Sequence, residues 1–238
     1  MLPPTRQTGE AMAQGKSKQE DVRDRPAYTV PEAAGYLKMP APTLRSWVQV
    51  IGRSDAPRHN RPGPLIDPAC KSPLRLSFNN LVECHTLRAL RTRHGVSIKS
   101  ALVAMETARG ICHTQRLLLS DRLRTDAGEV FLDKYGELVN LTKSGQIAMK
   151  AILAGLLKSI DRDEFSLPKR LYPVSDESRV IVIDPHVAFG RPVISRCGIS
   201  TGAIVARLDA NEMEEEIAND YELTLDDVRQ AAIYERAA

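Results

Sequence analysis

No uninterrupted apolar run in these 238 residues reaches the roughly 18 to 20 that a membrane-spanning helix requires, and the first residues lack the apolar stretch of a secretory leader. A soluble, cytoplasmic protein is expected. Close cysteine pairs are also missing: Cys70, Cys84, Cys112 and Cys197 stand far apart, without zinc or redox spacing, and read as thiols in a reducing compartment. There is no glycine-rich phosphate loop, Ser-His-Asp set or Cys-His pair. His59, His85, His94, His113 and His186 show no regular spacing, so each reads as a surface or structural histidine rather than a ligand. Asp161 with Asp163, and Asp226 with Asp227, are acidic neighbours without metal-ligand spacing. These absences argue against an enzyme, and no cofactor or bound metal is expected.

What the chain does have is a reversal of charge. Residues 28–112 carry twelve Lys and Arg against five Asp and Glu, whereas residues 173–238 carry six against thirteen. The overall net charge of +3 conceals this. A basic half suits a polyanion, and an acidic half that the same polyanion would repel suits another partner. Hydrophobic content of 42% excludes wholesale disorder.

Residues 1–26 have few apolar residues at any fixed period and read as a disordered tail. Order is expected from Tyr28, with Thr29 as helix N-cap and Pro31 and Glu32 in the first turn. Pro40 and Pro42 interrupt that helix, and residues 43–48 form a second one behind a tight turn. Residues 53–76, with five prolines and six basic residues counting His59, read as a two-stranded wing around Leu65-Ile66 and residues 74–76. Ser77 caps a longer helix with Leu81, Val82, Cys84, Leu87 and Leu90 inward; Gly95 ends it and Ser97 starts another.

Further along, Val130-Phe131-Leu132, a turn at residues 134–136 and Leu138-Val139 read as a hairpin. Ser144 then caps a helix whose Met149, Ile152, Leu153, Leu156, Leu157 and Ile160 form an apolar stripe suited to a core or a dimer face. After Pro173 come strands at residues 180–183 and 193–194, then helices near residues 201–208, 212–219 and 225–236, the last capped by Thr224. The fold class is therefore α+β, mainly α. The expected divisions are a tail (1–26), a winged helix-turn-helix domain (27–112), a hairpin-and-helix connector (113–174) and a three-helix domain (175–238).

A helix entering a DNA groove needs a small polar residue and a long cation near its start, and a wing needs cations for the flanking phosphates. Thr43, Arg45 and Trp47 supply the first set; Arg53, Arg58, His59, Arg61, Lys71 and Arg75 supply the second. A solvated basic face is the plainer explanation, and Trp47 suits core packing better than base contact. Glu212, Glu214, Glu215 and Glu216 divide evenly between a solvated face and a partner site.

The order Tyr28-Thr29-Val30-Pro31-Glu32-Ala33-Ala34, Pro42-Thr43-Leu44-Arg45-Ser46-Trp47, a wing, then residues 76–81 and Gly95-Val96-Ser97-Ile98 resembles the MerR-type winged helix. The wing is longer and richer in proline than that family's, and the family's effector-binding cysteines have no counterpart. A second set, Asp184-Pro185, residues 190–194, Gly198-Ile199, Ile204, Glu216-Ile217, Tyr221, Leu223-Thr224, Asp227-Val228 and Ala231-Ala232, resembles the small helical domain of VapB-like antitoxins. Where those proteins usually have a Gly-Thr-Arg-Ile turn, this chain has Arg196-Cys197-Gly198-Ile199.

The resemblances imply an antitoxin that silences a PIN-domain ribonuclease toxin and represses its own operon by binding operator DNA as a homodimer. Arg191, Arg196 and Arg236 are candidates for insertion into the toxin's acidic active site. One rival is a stand-alone MerR-like regulator without a toxin. Another is a metal-dependent RNA-processing enzyme acting through Asp161 or Asp163.

Overall fold

The structure, a computed structural model, describes residues 21–49, 64–92, 98–113, 116–124, 126–139, 143–174 and 178–237. Helices α1 (Val30–Tyr36) and α2 (Ala41–Val48) precede strands β1 (Cys70–Lys71) and β2 (Leu74–Arg75). Then come α3 (Phe78–Thr92), α4 (Ile98–Cys112), α5 (Asp126–Val139) and α6 (Lys143–Lys158). Strands β3 (Ile160–Arg162), β4 (Pro168–Leu171), β5 (Ile181–Ile183) and β6 (Pro192–Ile194) lead into α7 (Thr201–Asp209), α8 (Glu214–Asp220) and α9 (Leu225–Arg236). The chain is α+β and mainly helical, with two small antiparallel sheets.

Local chemistry sets the helix starts. Thr29 Oγ1 accepts from the Glu32 N–H and Glu32 Oε2 accepts from the Thr29 N–H at 2.8 Å, a reciprocal box that satisfies two otherwise orphaned donors of α1. Thr224 and Asp227 do the same for α9. Ser77 Oγ accepts from the Asn80 N–H and so caps α3. Lys38 turns the chain with φ of 49°, the Met39 N–H reaches back to the Ala34 carbonyl, and Pro40 then precedes α2.

One core runs through most of the length. Trp47, Phe78, Phe131, Leu157, Leu171 and Ile183 belong to a single buried cluster, so residues 113–174 pack with the N-terminal helices. A second cluster joins Ile181, Ile194, Ile204, Ile217, Val228 and Tyr234. Between them lies the sheet β3-β4-β5-β6, with Leu171 opposite Ile183 and Val182 opposite Val193. The boundary expected near residue 174 thus falls between two hydrogen-bonded neighbours of one sheet.

Several expectations are corrected. The hairpin expected at residues 130–139 is part of α5: Phe131, Leu132 and Tyr135 are buried at helical spacing. Burying each is worth about 1.5 to 3 kcal/mol, which outweighs a strand preference of about 1 kcal/mol. Ile160 leaves the helical stripe and opens β3, opposite Leu171, while Leu156 and Leu157 stay on the helix and are buried. The first strand of the hairpin is Cys70–Lys71 rather than Leu65-Ile66. Order also starts earlier than Tyr28, because residues 22–24 form a 3-10 turn held by distant partners. Arg23 binds Asp163 at 2.6 Å, and Asp24 accepts from Asn79 and Arg116, each at 2.8 Å.

Candidate functional site

Two surfaces gather the candidate residues. The first is built by α2 and the β1-β2 hairpin. Leu44, Trp47 and Val48 turn inward and leave Arg45 exposed and Thr43 half-buried at the start of α2. Trp47 is 1% exposed, so it packs the core and cannot contact a base. Arg45 makes no hydrogen bond or ion pair among the described residues. Lys71 is exposed and pairs with Asp67, and Arg75 is half-buried on β2. Arg53, Arg58, His59 and Arg61 lie outside the described residues.

The hairpin is tied to the helices at both ends. Tyr28 exchanges backbone hydrogen bonds with Leu76 at 2.9 and 2.8 Å, and the Ile66 N–H donates to the Trp47 carbonyl at the end of α2. Asn80, buried at the start of α3, accepts from the Ala69 and Ser77 N–H groups and donates to the Asp67 carbonyl and to Glu83. Glu83 in turn receives two hydrogen bonds from Arg116. The cations of the hairpin therefore sit on a braced frame rather than on a loose loop.

The second surface is the loop between β5 and β6. Asp184 is buried and accepts from the His186 N–H at 2.9 Å and from Arg170 Nε at 3.0 Å. Burial alone would raise its pKa; those donors prevail and hold the carboxyl below its ordinary value. Ala188, Phe189 and Gly190 then take φ of 46°, 57° and 72° in succession. Gly190 has no alternative, since a Cβ there would lie 2.0 Å from Tyr28 Oη. Gly198 turns the chain at φ 77° beyond β6.

The three candidate arginines separate here. Arg196 binds Asp227, so it braces the capping box of α9, and Arg236 pairs with Asp209 at 3.2 Å. Arg191 is exposed and makes no hydrogen bond or ion pair among the described residues. Arg191 and Arg75 both add to the lowering of the Glu32 pKa, behind its larger contacts with Thr29. They therefore share the edge of the molecule next to the first turn of α1.

The acidic run is partly spent internally. Arg207 binds Glu212 and Asp220, and Arg229 binds Glu214 at 2.8 Å. Asp161 accepts from Tyr172 Oη and Arg179, and Asp163 from Arg23 and the N–H groups of Phe165 and Leu167, so both carboxylates have structural partners. Among the described residues no group of three or more His, Cys, Asp or Glu could hold a metal ion, and no helix is long and apolar enough to cross a membrane. Sequence reasoning passed over Asn80, Glu83 and Phe189. The first two lie on a helix face read only for its apolar residues, and Phe189 sits inside a segment read only as a turn.

The protein family of unknown function DUF433 matches residues 181–234, which span β5 to α9. Over 225 residues the chain is 28% identical to a Mycobacterium tuberculosis (strain H37Rv) protein named "Putative antitoxin VapB45", covering 87% of this chain and 93% of that one. The crystal structure of Rv2018 from Mycobacterium tuberculosis superposes with a TM-score of 0.65 at 23% identity, covering 87% of this chain and 98% of the other. The same overall fold is therefore present in an experimental structure.

Proposed function

We propose that this chain is the antitoxin of a type II toxin-antitoxin system, which binds and silences a PIN-domain ribonuclease toxin and represses its own operon by binding operator DNA. The observation that carries this reading is the similarity to the relative named as an antitoxin, which runs through nearly the whole of both chains. It takes in the basic and the acidic halves together.

Physical features support each part. Residues 27–112 act as the MerR-like winged helix-turn-helix: α2 is the groove-facing helix, Thr43 and Arg45 its outward residues, and Lys71 and Arg75 the hairpin's phosphate contacts. Residues 175–238 form the antitoxin-like module. Its excess of acidic residues makes it a poor reader of phosphate and leaves it to protein contacts. Of the three arginines proposed to reach the toxin, Arg191 has the strongest support, because Arg196 and Arg236 have acidic partners in their own module. A homodimer would match two operator half-sites, joined through α6 or the C-terminal module.

A pull-down with the product of the adjacent gene, together with a titration of the upstream DNA, tests both functions. If the chain binds DNA while no neighbouring product binds it, the antitoxin reading fails. A second reading, a stand-alone regulator that senses a ligand, is favoured by one feature: a cavity of about 590 Å³ between Arg23, Asn79, Arg116, Asp121 and Phe165. That size suits a small molecule. A metabolite-dependent change in DNA affinity without any toxin partner would support it.

A further inference from the structure

Phe189 is 90% exposed, the most exposed large apolar side chain among the described residues. A lone exposed aromatic is ordinary on a protein surface, but its setting is not. Three successive residues with positive φ are needed to place it, two of them non-glycine and each costly by the usual measure of left-handed backbone. The segment is also stiff. The Val187 N–H donates to the Asp184 carbonyl, and the Gly190 N–H donates to the Val187 carbonyl at 2.8 Å. Val187 and Ala188 pack on Tyr172, Val182 and Val193, and Gly190 abuts Tyr28. Its immediate neighbours are anchored, and Phe189 is the large apolar side chain of the loop that is held out to solvent. Near it in the loop stand exposed His186 and Arg191, the latter without a hydrogen bond or ion pair among the described residues.

We propose that the 184–191 loop is the docking point for the partner protein, with Phe189 filling an apolar socket on that protein and Arg191 meeting carboxylates at the socket's rim. This rests on the antitoxin reading and specifies which segment meets the toxin. An aromatic anchor beside an arginine is the usual composition of a binding hot spot, and a rigid loop loses little freedom on docking. Charge separates the candidate occupants. Nucleic acid is disfavoured because the loop belongs to a half with thirteen acidic residues against six basic ones, although Arg191 itself lies towards Arg75 at the edge of α1. A second copy meeting loop to loop is disfavoured because symmetry would set Arg191 against its twin.

The test uses the full chain as wild type, Phe189→Ala, Phe189→Gly and Arg191→Glu, each titrated by calorimetry against the purified product of the adjacent gene. Both Phe189 variants are expected to weaken the complex roughly tenfold or more, as is Arg191→Glu. Phe189→Gly, relieved of the left-handed strain, is expected to melt at or above the wild-type temperature, which separates lost contact from lost folding. If the wild type binds and Phe189→Ala binds equally well, this inference is wrong and the antitoxin reading stands. If the wild type itself does not bind, both fall. Weakened operator binding or loss of the dimer in Phe189→Ala, with the protein complex intact, overturns the inference in favour of DNA or a second copy.

Discussion

His85 should make this protein sensitive to acid in a defined window. The ring is buried between α3 and the end of α6: its Nε2 lies 3.0 Å from Ser159 Oγ, and Nδ1 has no partner among the described residues. Ser159 donates its own proton to the Leu156 carbonyl at 2.6 Å, so its oxygen accepts from Nε2–H of His85, and the buried, partnerless Nδ1 favours the neutral ring. Burial, with a smaller push from Arg88, lowers the pKa from 6.5 to about 4. Because the folded value lies below the unfolded one, the unfolded chain binds more protons between those values. The stabilisation is then complete above pH 6.5 and is lost as the pH falls towards 4. A shift of this size is worth about 3 kcal/mol in full, of which roughly 2 kcal/mol is gone by pH 5. Urea unfolding at pH 7.5 and pH 5, for wild type and His85→Leu, measures it. The wild type should lose about 2 kcal/mol more than the variant between the two conditions. Equal losses would refute the assignment of a neutral, buried His85.

Other perturbations follow from single contacts. Arg45→Ala should weaken operator affinity by roughly 1 to 3 kcal/mol if Arg45 reaches a base edge, measured by anisotropy at fixed salt; an unchanged titration removes α2 from the interface. Gly190→Ala should destabilise the fold by about 1 to 3 kcal/mol, since it combines a positive φ with a 2.0 Å approach to Tyr28 Oη. Adding Tyr28→Phe should recover part of that loss, and no recovery would mean the hydroxyl is not the obstacle. Thr224→Ala should cost about 1 kcal/mol through loss of the α9 cap, and an unchanged melting temperature would contradict the capping role.

The legible parts of the fold are those whose causes are local. Thr29 and Thr224 announce their helices because a cap and its partner three residues on are written side by side, and both boxes are present. The strands at residues 181–183 and 192–194 were visible as short apolar runs around a Pro and Gly turn. What stayed hidden depends on distant partners. Residues 130–139 are rich in strand formers and become helix because their buried positions face other helices. Strands β3 and β4 are short and carry charge, and β4 begins with a proline, so only pairing with β5 reveals them. The same limit applies to the candidate site. Charge divided the chain into a basic and an acidic half, but only the structure separates Arg191 from Arg196 and Arg236, because ion pairs across 27 to 31 residues leave no mark in spacing.

Two partners for one chain is the claim on which the rest depends, and the most direct measurement is an RNA-cleavage assay. The purified product of the adjacent gene is incubated with RNA, alone and with an equimolar amount of this protein, and the same mixture is titrated onto upstream DNA. Cleavage should stop while DNA binding persists. Undiminished cleavage in a large molar excess of this protein, with DNA binding intact, would leave a regulator and no antitoxin.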